Sequence, residues 1–485
     1  MSDARGPVIR RRAVRAISTL ALVVLAIVAL LIAVVVTAAN TRWGREQVRT
    51  RVVALLDEQL AGRFSIGRLE GNLLTGVRLV DVSITDTTGR AFLQADTVAT
   101  GFRLLALVRQ RIQLHDVRLV RPVVLLDQSP SDNTWNWERI FLGDSTARDT
   151  AGTGPGWGDW ISLERLELVD GRVMVRMAWE PDSALQGAAR DSAIAAALSD
   201  SSRALVESVP EGFQTVYDFQ ELSAILPELR VADPAFEFQQ YELERLATTA
   251  FPFRPPPVRI ENFAGTLYVS GDSLWFNDAA IRLPGSEAIA SLRVGLGETT
   301  DVALAMRSGR LSTGDIRFLY PPLVEDGEAA LRLGLTMRGD TMRVVASDLM
   351  ATIEDSRIAG TLGVMMLNDT LTFMNTDLTT DNLAIELVER LVPGSEFPID
   401  GTVTGSARLN GPLRALHIDA DLELNEPGSG ISRAVATGEV GMVEGGMRMT
   451  GLQVEARPLQ VALARQFMPD LAVRGQLSGT ATADG

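Results

Sequence analysis

Acid–base and metal chemistry near neutral pH relies on histidine, cysteine and paired carboxylates, and this 485-residue chain offers few arrangements of them. It has no cysteine, which removes thiolate metal sites, cysteine nucleophiles and disulfide staples. Its two histidines, His115 and His417, each stand alone in a strand-like stretch, so a histidine metal cluster is excluded. Asp419 and Asp421 in "HIDADLEL" share one face of a strand, the spacing of paired carboxylates for acid–base work or calcium. The residues between and beside them, Ile418, Ala420 and Leu422, read as the buried set of that strand, which leaves the two aspartates on a solvated face. No phosphate-binding loop, nucleophile elbow or zinc-protease motif occurs. Residues 129–160 form a Gly/Ser/Thr/Asp-rich loop with Trp135, Trp137, Trp157 and Trp160, which would bind a ligand or, more simply, pin the loop to a sheet. The sequence does not argue for an enzyme and assigns no catalytic, cofactor-binding or metal-ligating residue.

The elements around these residues are more informative. Arg5, Arg10, Arg11, Arg12 and Arg15 precede "LALVVLAIVALLIAVVV", and the charge-free stretch 16–41 is long enough to cross a bilayer as a helix. Val36 and Ala38 would fit a cleavage site, but the run exceeds the roughly 7–15 apolar residues of a cleavable signal, so it reads as an uncleaved anchor. Residues 1–15 are then a basic cytoplasmic tail, with Arg15 and Trp43 at the membrane interfaces. "REQVRTRVVALLDEQL" predicts an amphipathic helix within 42–62. The formal charge is −15; residues 1–45 contribute +6, leaving −21 on the rest, which opposes nucleic acid as a partner.

After Arg63 the apolar period becomes two, so the bulk is β. An apolar-x-apolar-x-x-apolar stutter recurs at "FSIGRLEG", "IQLHDVRL", "ISLERLEL", "VRIENFAG" and "MRMTGLQV". Each two-residue skip would turn the apolar set to the opposite face unless the backbone bulges there. "GDSLWFNDAAI", "GDTMRVVASDL" and "NDTLTFMNTDL" join a tight-turn pair to a strand and predict antiparallel hairpins. "GTVTGSARLNG" and "GQLSGTATADG" repeat at a period of 74 residues, each after a short helical stretch ending in proline, and "GEAALRLGLTMRG" is an earlier relative. The last copy begins where the sequence stops, which reads as the front of a longer array. "DSAIAAALSDSSRALVES" predicts an alanine-rich helix on an insertion spanning 181–254.

The order of basic tail, anchor, amphipathic helix, "FSIGRLEGNLLTGVRLVDVSITDTTG", "LLALVRQRIQLHDVRLVRPVVLL" and "NTWNWERIF", with "GTVTGSARLNGPLRALHIDADLEL" later, resembles the N-terminal part of the AsmA-like superfamily. Its TamB-like branch, the inner-membrane subunits of translocation and assembly modules, is the nearest pattern. The resemblance implies a mostly β protein: a transmembrane helix, a β region over 63–180, the helical and loop insertion, and a repetitive antiparallel array over 255–485 that forms an open groove, or β-taco. It implies an inner-membrane, single-pass protein with a periplasmic bulk that moves phospholipid between inner and outer membranes and supports outer-membrane biogenesis. Phospholipid acyl chains and an Omp85-class outer-membrane protein would be its partners. The expected lining begins with Phe64, Ile66 and Leu69, continues through Val77 and Leu79, and takes Ile112, Leu114 and Val117 from the second stutter. Ile161 and Leu163 follow from the third, and Ile260 and Phe263 from the fourth. Low aromatic content, 6%, favours an open trough over a filled core. A scaffold that binds outer-membrane or secreted β-proteins by edge pairing is the alternative. An anchored envelope hydrolase using Asp419 and Asp421 is the third reading.

Overall fold

The computed structural model describes residues 41–59, 61–72, 76–103, 112–141, 161–200, 204–232, 239–270, 273–296, 300–339, 341–367, 370–391, 399–428, 430–443, 446–463 and 475–485. The expected tail, 1–15, and span, 16–41, lie outside these apart from Thr41. Among the described residues no helix is long and apolar enough to cross a membrane. The chain divides into two compact units, one up to Ala178 with Val231–Asp233, the other Trp179–Arg230 and Pro234–Gly485.

In the first unit, helix α1 (Arg42–Gln59) leads into strands β1 (Arg63–Asn72), β2 (Gly76–Thr85) and β3 (Ala91–Phe102), which pair antiparallel in chain order. Arg49 of α1 donates to the Ile66 carbonyl at 2.8 Å and Arg45 to that of Gly71 at 3.4 Å, so the helix covers an edge that would otherwise be open to pairing. Strands β4 (Ile112–Val120) and β5 (Val123–Asp127) both pair with β3 and then, in parallel, with β6 (Ile161–Trp179). The array expected to be antiparallel throughout is therefore parallel at this point. Parallel neighbours need a long crossover, and the tryptophan-bearing segment supplies it. That segment holds a short helix, α2 (Asn136–Phe141), where only loop was expected. Asn136 is its lock: the side chain accepts from Asp127 N at 3.1 Å and donates to the carbonyls of Leu125 and Ala91 at 2.6 and 3.3 Å.

The second unit starts with helix α3 (Ala188–Ser199) and strand β7 (Leu205–Val209), then β8 (Gly212–Ala232) and β9 (Gln239–Phe251). The insertion expected to be helix and loop is thus mainly strand. Alternation in "GFQTVYDFQELSAILPEL" changes phase at Glu221, which sits at φ +53°, and this break hides the strand from a simple period-two reading. From β7 onward each strand pairs antiparallel with the next, through β22 (Gln476–Ala483). These 16 strands extend on the order of 70 Å measured across the sheet.

Three repeats are visible within this meander. Strands β10 (Val258–Ser270), β11 (Ser273–Arg282), β12 (Glu287–Leu296) and β13 (Thr300–Ser312) end in helix α4 (Thr313–Ile316). Strands β14 (Gly327–Arg338), β15 (Thr341–Ile353), β16 (Ser356–Leu367) and β17 (Thr370–Ala384) end in α5 (Ile385–Leu391). Strands β18 (Thr402–Pro412), β19 (Leu416–Glu426), β20 (Gly430–Val443) and β21 (Gly446–Gln460) end in a helical turn at 461–463. Gly327, Gly401 and Gly475, at 74-residue intervals, open the next unit each time. Ile385 N donates to Gly401 O and Val461 N to Gly475 O, both at 3.0 Å. Thr313 Oγ1 holds the earlier junction, accepting from Gly327 N at 2.8 Å. A buried serine accepts the backbone N–H just before each helix: Ser286 from Ser312, Ser356 from Ala384 and Ser432 from Gln460, at 2.9, 3.1 and 3.0 Å.

Candidate functional site

The candidate site is the apolar face of the sheet, and backbone geometry at single residues keeps it apolar. Asp116 and Arg165 sit at the skips of the second and third stutters with φ +50° and +54°, and Gly451 at the skip of the fifth with φ +56°. Asp278, Asp348 and Asn375 take φ +47°, +52° and +50° at the skips of the three turn-strand motifs. This left-handed region suits aspartate, asparagine and glycine better than most residues. Each such bulge returns the apolar series to its original face, so Met342, Val344, Ala346, Leu349, Ala351 and Ile353 of β15 all point the same way. The three motifs form hairpins with two-residue turns, as their sequences predict: Ser270 lies opposite Ser273, Arg338 opposite Thr341 and Leu367 opposite Thr370. The first stutter behaves differently. Gly67 packs against Asp81, itself at φ +56°, so both strands break phase at one level and β1–β2 keep continuous register. β4 and β6 do the same, Asp116 facing Arg165, within a constant offset of 49 residues.

The face has two ends. Where the repeat helices sit, Leu311, Ile353, Ile385, Leu387, Leu424 and Val461 are buried. At the opposite, hairpin end Met337, Met342, Val364 and Leu371 are only half-buried, and Met366 is 38% exposed. A dry core would bury these side chains; here the ladder leaves them in partial contact with water. The bulge between β16 and β17 is closed internally by Thr376, whose hydroxyl accepts from Gly363 N at 3.1 Å and donates to Gly363 O at 3.0 Å.

The outer face is a lattice of ion pairs. Arg332 meets Asp348 at 3.1 Å, Arg357 meets Asp381 at 2.8 Å and Arg433 meets Glu423 at 2.6 Å. Arg408 lies between Asp377 and Asp419, at 3.3 and 3.4 Å, and their carboxylates, Asp377 first, hold its guanidinium above the usual arginine range. Such exposed pairs add little to stability because solvent screens them; their effect is to keep this face wet. A shallow outer concavity of about 600 Å³ between β10 and β15 has Arg282, Arg307 and Arg332 in its wall, each already beside a carboxylate.

The expected lining residues divide. Phe64, Leu69, Val77, Leu79, Leu114 and Leu163 of the first unit and Ile260 and Phe263 of the second are half-buried, and Phe263 meets Phe276 edge-to-face at 5.2 Å. Ile66 and Val117 are 2% exposed, covered by protein and closed to a guest. Ile112 and Ile161 pair in register through their backbones, and their side chains lie outside what is described. Trp43 is 70% exposed at the start of α1; Arg15, like Trp157 and Trp160, lies outside the described residues. His115 packs over Gly101, where a Cβ would strike its ring, and His417 is exposed on the outer face with Asp421. Among the described residues no group of three His, Asp or Glu side chains is placed to hold a metal. Sequence reasoning missed the serine triplet and Asn136, which short-range patterns do not flag.

Fold and face together define a class: a repetitive antiparallel sheet with a 74-residue, four-strand-plus-helix unit, one apolar face and one charged face. Comparison with protein-family models, curated proteins and solved structures returns no match to this chain.

Proposed function

We propose that this chain is an inner-membrane-anchored, periplasmic groove protein that moves phospholipid between the inner and outer membranes in support of outer-membrane biogenesis. One observation carries the reading: the apolar face continues across β10–β21, held in phase by bulges, and stays half-exposed towards the hairpin end. Apolar surface left in water costs about 25 cal/mol per Å², and an acyl chain laid across the strands would remove that cost without needing a polar match. The AsmA-like pattern of tail, anchor and Trp43-bearing helix supports the membrane topology and an Omp85-class partner. The test is site-specific photocrosslinking in the full chain. A benzophenone residue at Leu335, on the apolar face, should capture phospholipid, and one at the adjacent Thr336, on the exposed outer face, should not. Equal capture at both positions, or capture at Leu335 of unfolded β-barrel precursors in place of lipid, would sink the reading and favour a scaffold.

A further inference from the structure

We propose that the cleft between α3 and strands β7–β8 binds an organic ammonium group. α3 is twelve residues long and buries no side chain, an unusual way for a helix to lie on a sheet. The reason is in its sequence, "AARDSAIAAALS": Ala193, Ala196 and Ala197 face the strands, and their methyl groups are too short to fill the gap. A cleft of about 650 Å³ remains, within the size of ordinary small-molecule sites. The helix is held over it at one end, where Arg254 donates to the carbonyls of Ala197 and Leu198 at 3.2 and 2.8 Å.

The walls match a cation. Trp179 and Tyr217 contribute aromatic surface, and Trp179 is fixed edge-to-face by Phe213 at 6.0 Å. Glu180, Asp182 and Asp200 lie along the lining, and among the described residues none of the lining is basic. Asp182 is positioned by accepting from Ala184 N at 2.9 Å. Aromatic faces attract an ammonium or quaternary nitrogen within about 6 Å, and the carboxylates of the described lining add Coulomb attraction for a cation and disfavour an anion. The group could be a lipid headgroup or a free amine. The inference stands on this cleft alone and does not need the groove to carry lipid.

Calorimetric titration of the detergent-solubilised full chain with choline chloride tests it. Saturable binding is expected, with the neutral isostere 3,3-dimethylbutanol weaker by about tenfold or more. Ala196→Leu, which fills the cleft, and Trp179→Leu, which removes the ring, should each weaken choline about tenfold. Circular dichroism should show both variants folded. A short-chain phosphocholine lipid binding better than choline assigns the site to a headgroup; equal affinity assigns it to a free amine. Absence of saturable binding, equal binding of the neutral isostere, or choline binding unchanged in a folded Ala196→Leu protein would overturn the proposal.

Discussion

Deleting Asp348 tests whether the bulges set the apolar face. β15 is bounded by two-residue turns, with Arg338 opposite Thr341 and Ile353 opposite Ser356, so neither end has slack to absorb a lost residue. Without the bulge, Leu349, Ala351 and Ile353 rotate to the outer face and Met350 and Thr352 turn inward. Ile353 is 5% exposed, so moving it to water costs about 1.5–3 kcal/mol; half-buried Leu349 and Ala351 add less, and inward burial of Met350 returns part, leaving roughly 3 kcal/mol. Loss of the Arg332–Asp348 pair adds under about 0.5 kcal/mol because both side chains are mainly exposed. Two substitutions separate phase from backbone strain. Asp348→Gly keeps the left-handed conformation and should change stability by no more than about 0.5 kcal/mol, whereas Asp348→Val should cost about 1–2 kcal/mol. Urea unfolding followed by circular dichroism reads all three. A deletion that costs no more than Asp348→Val would refute the reasoning, since the strand would then have re-registered without moving its apolar set.

Other expectations follow from single contacts. Gly405→Ala should destabilise by about 2–5 kcal/mol in the same assay, because φ is +148° and a Cβ would lie 2.0 Å from Asp421 O. Asn136→Ala should cost about 3–5 kcal/mol, leaving Asp127 N–H and the Leu125 and Ala91 carbonyls without this partner, and should raise proteolysis within 129–141 before the rest of the chain is cut. A hydrogen bond from Arg457 holds the Glu455 carboxyl below the usual range, so the pair's contribution is present above the ordinary carboxylate pKa and is lost as pH falls through the lowered one. NMR titration should give Glu455 a midpoint below that of the same residue in Arg457→Leu.

Short-range patterns along the chain carry the features that a backbone must satisfy locally. Period two after Arg63 meant strands, the turn pairs before Leu274, Met342 and Leu371 meant hairpins, and the stutters meant a local break in the backbone, because a two-residue skip otherwise turns the apolar set to the opposite face. The 74-residue glycine spacing was legible for the same reason: Gly401 and Gly475 share φ near +120°, and Gly405 and Gly479 share φ near +150°. Which elements lie across one another depends on packing between distant segments. Alternation is identical in parallel and antiparallel partners, so it could not show that β4 and β5 run parallel to β6, nor that Ile66 and Val117 are covered while Leu79 and Leu114 are half-open. The buried serines that seat each repeat helix, and the alanine face that leaves a cleft beneath α3, likewise depend on what packs opposite, which no residue encodes alone.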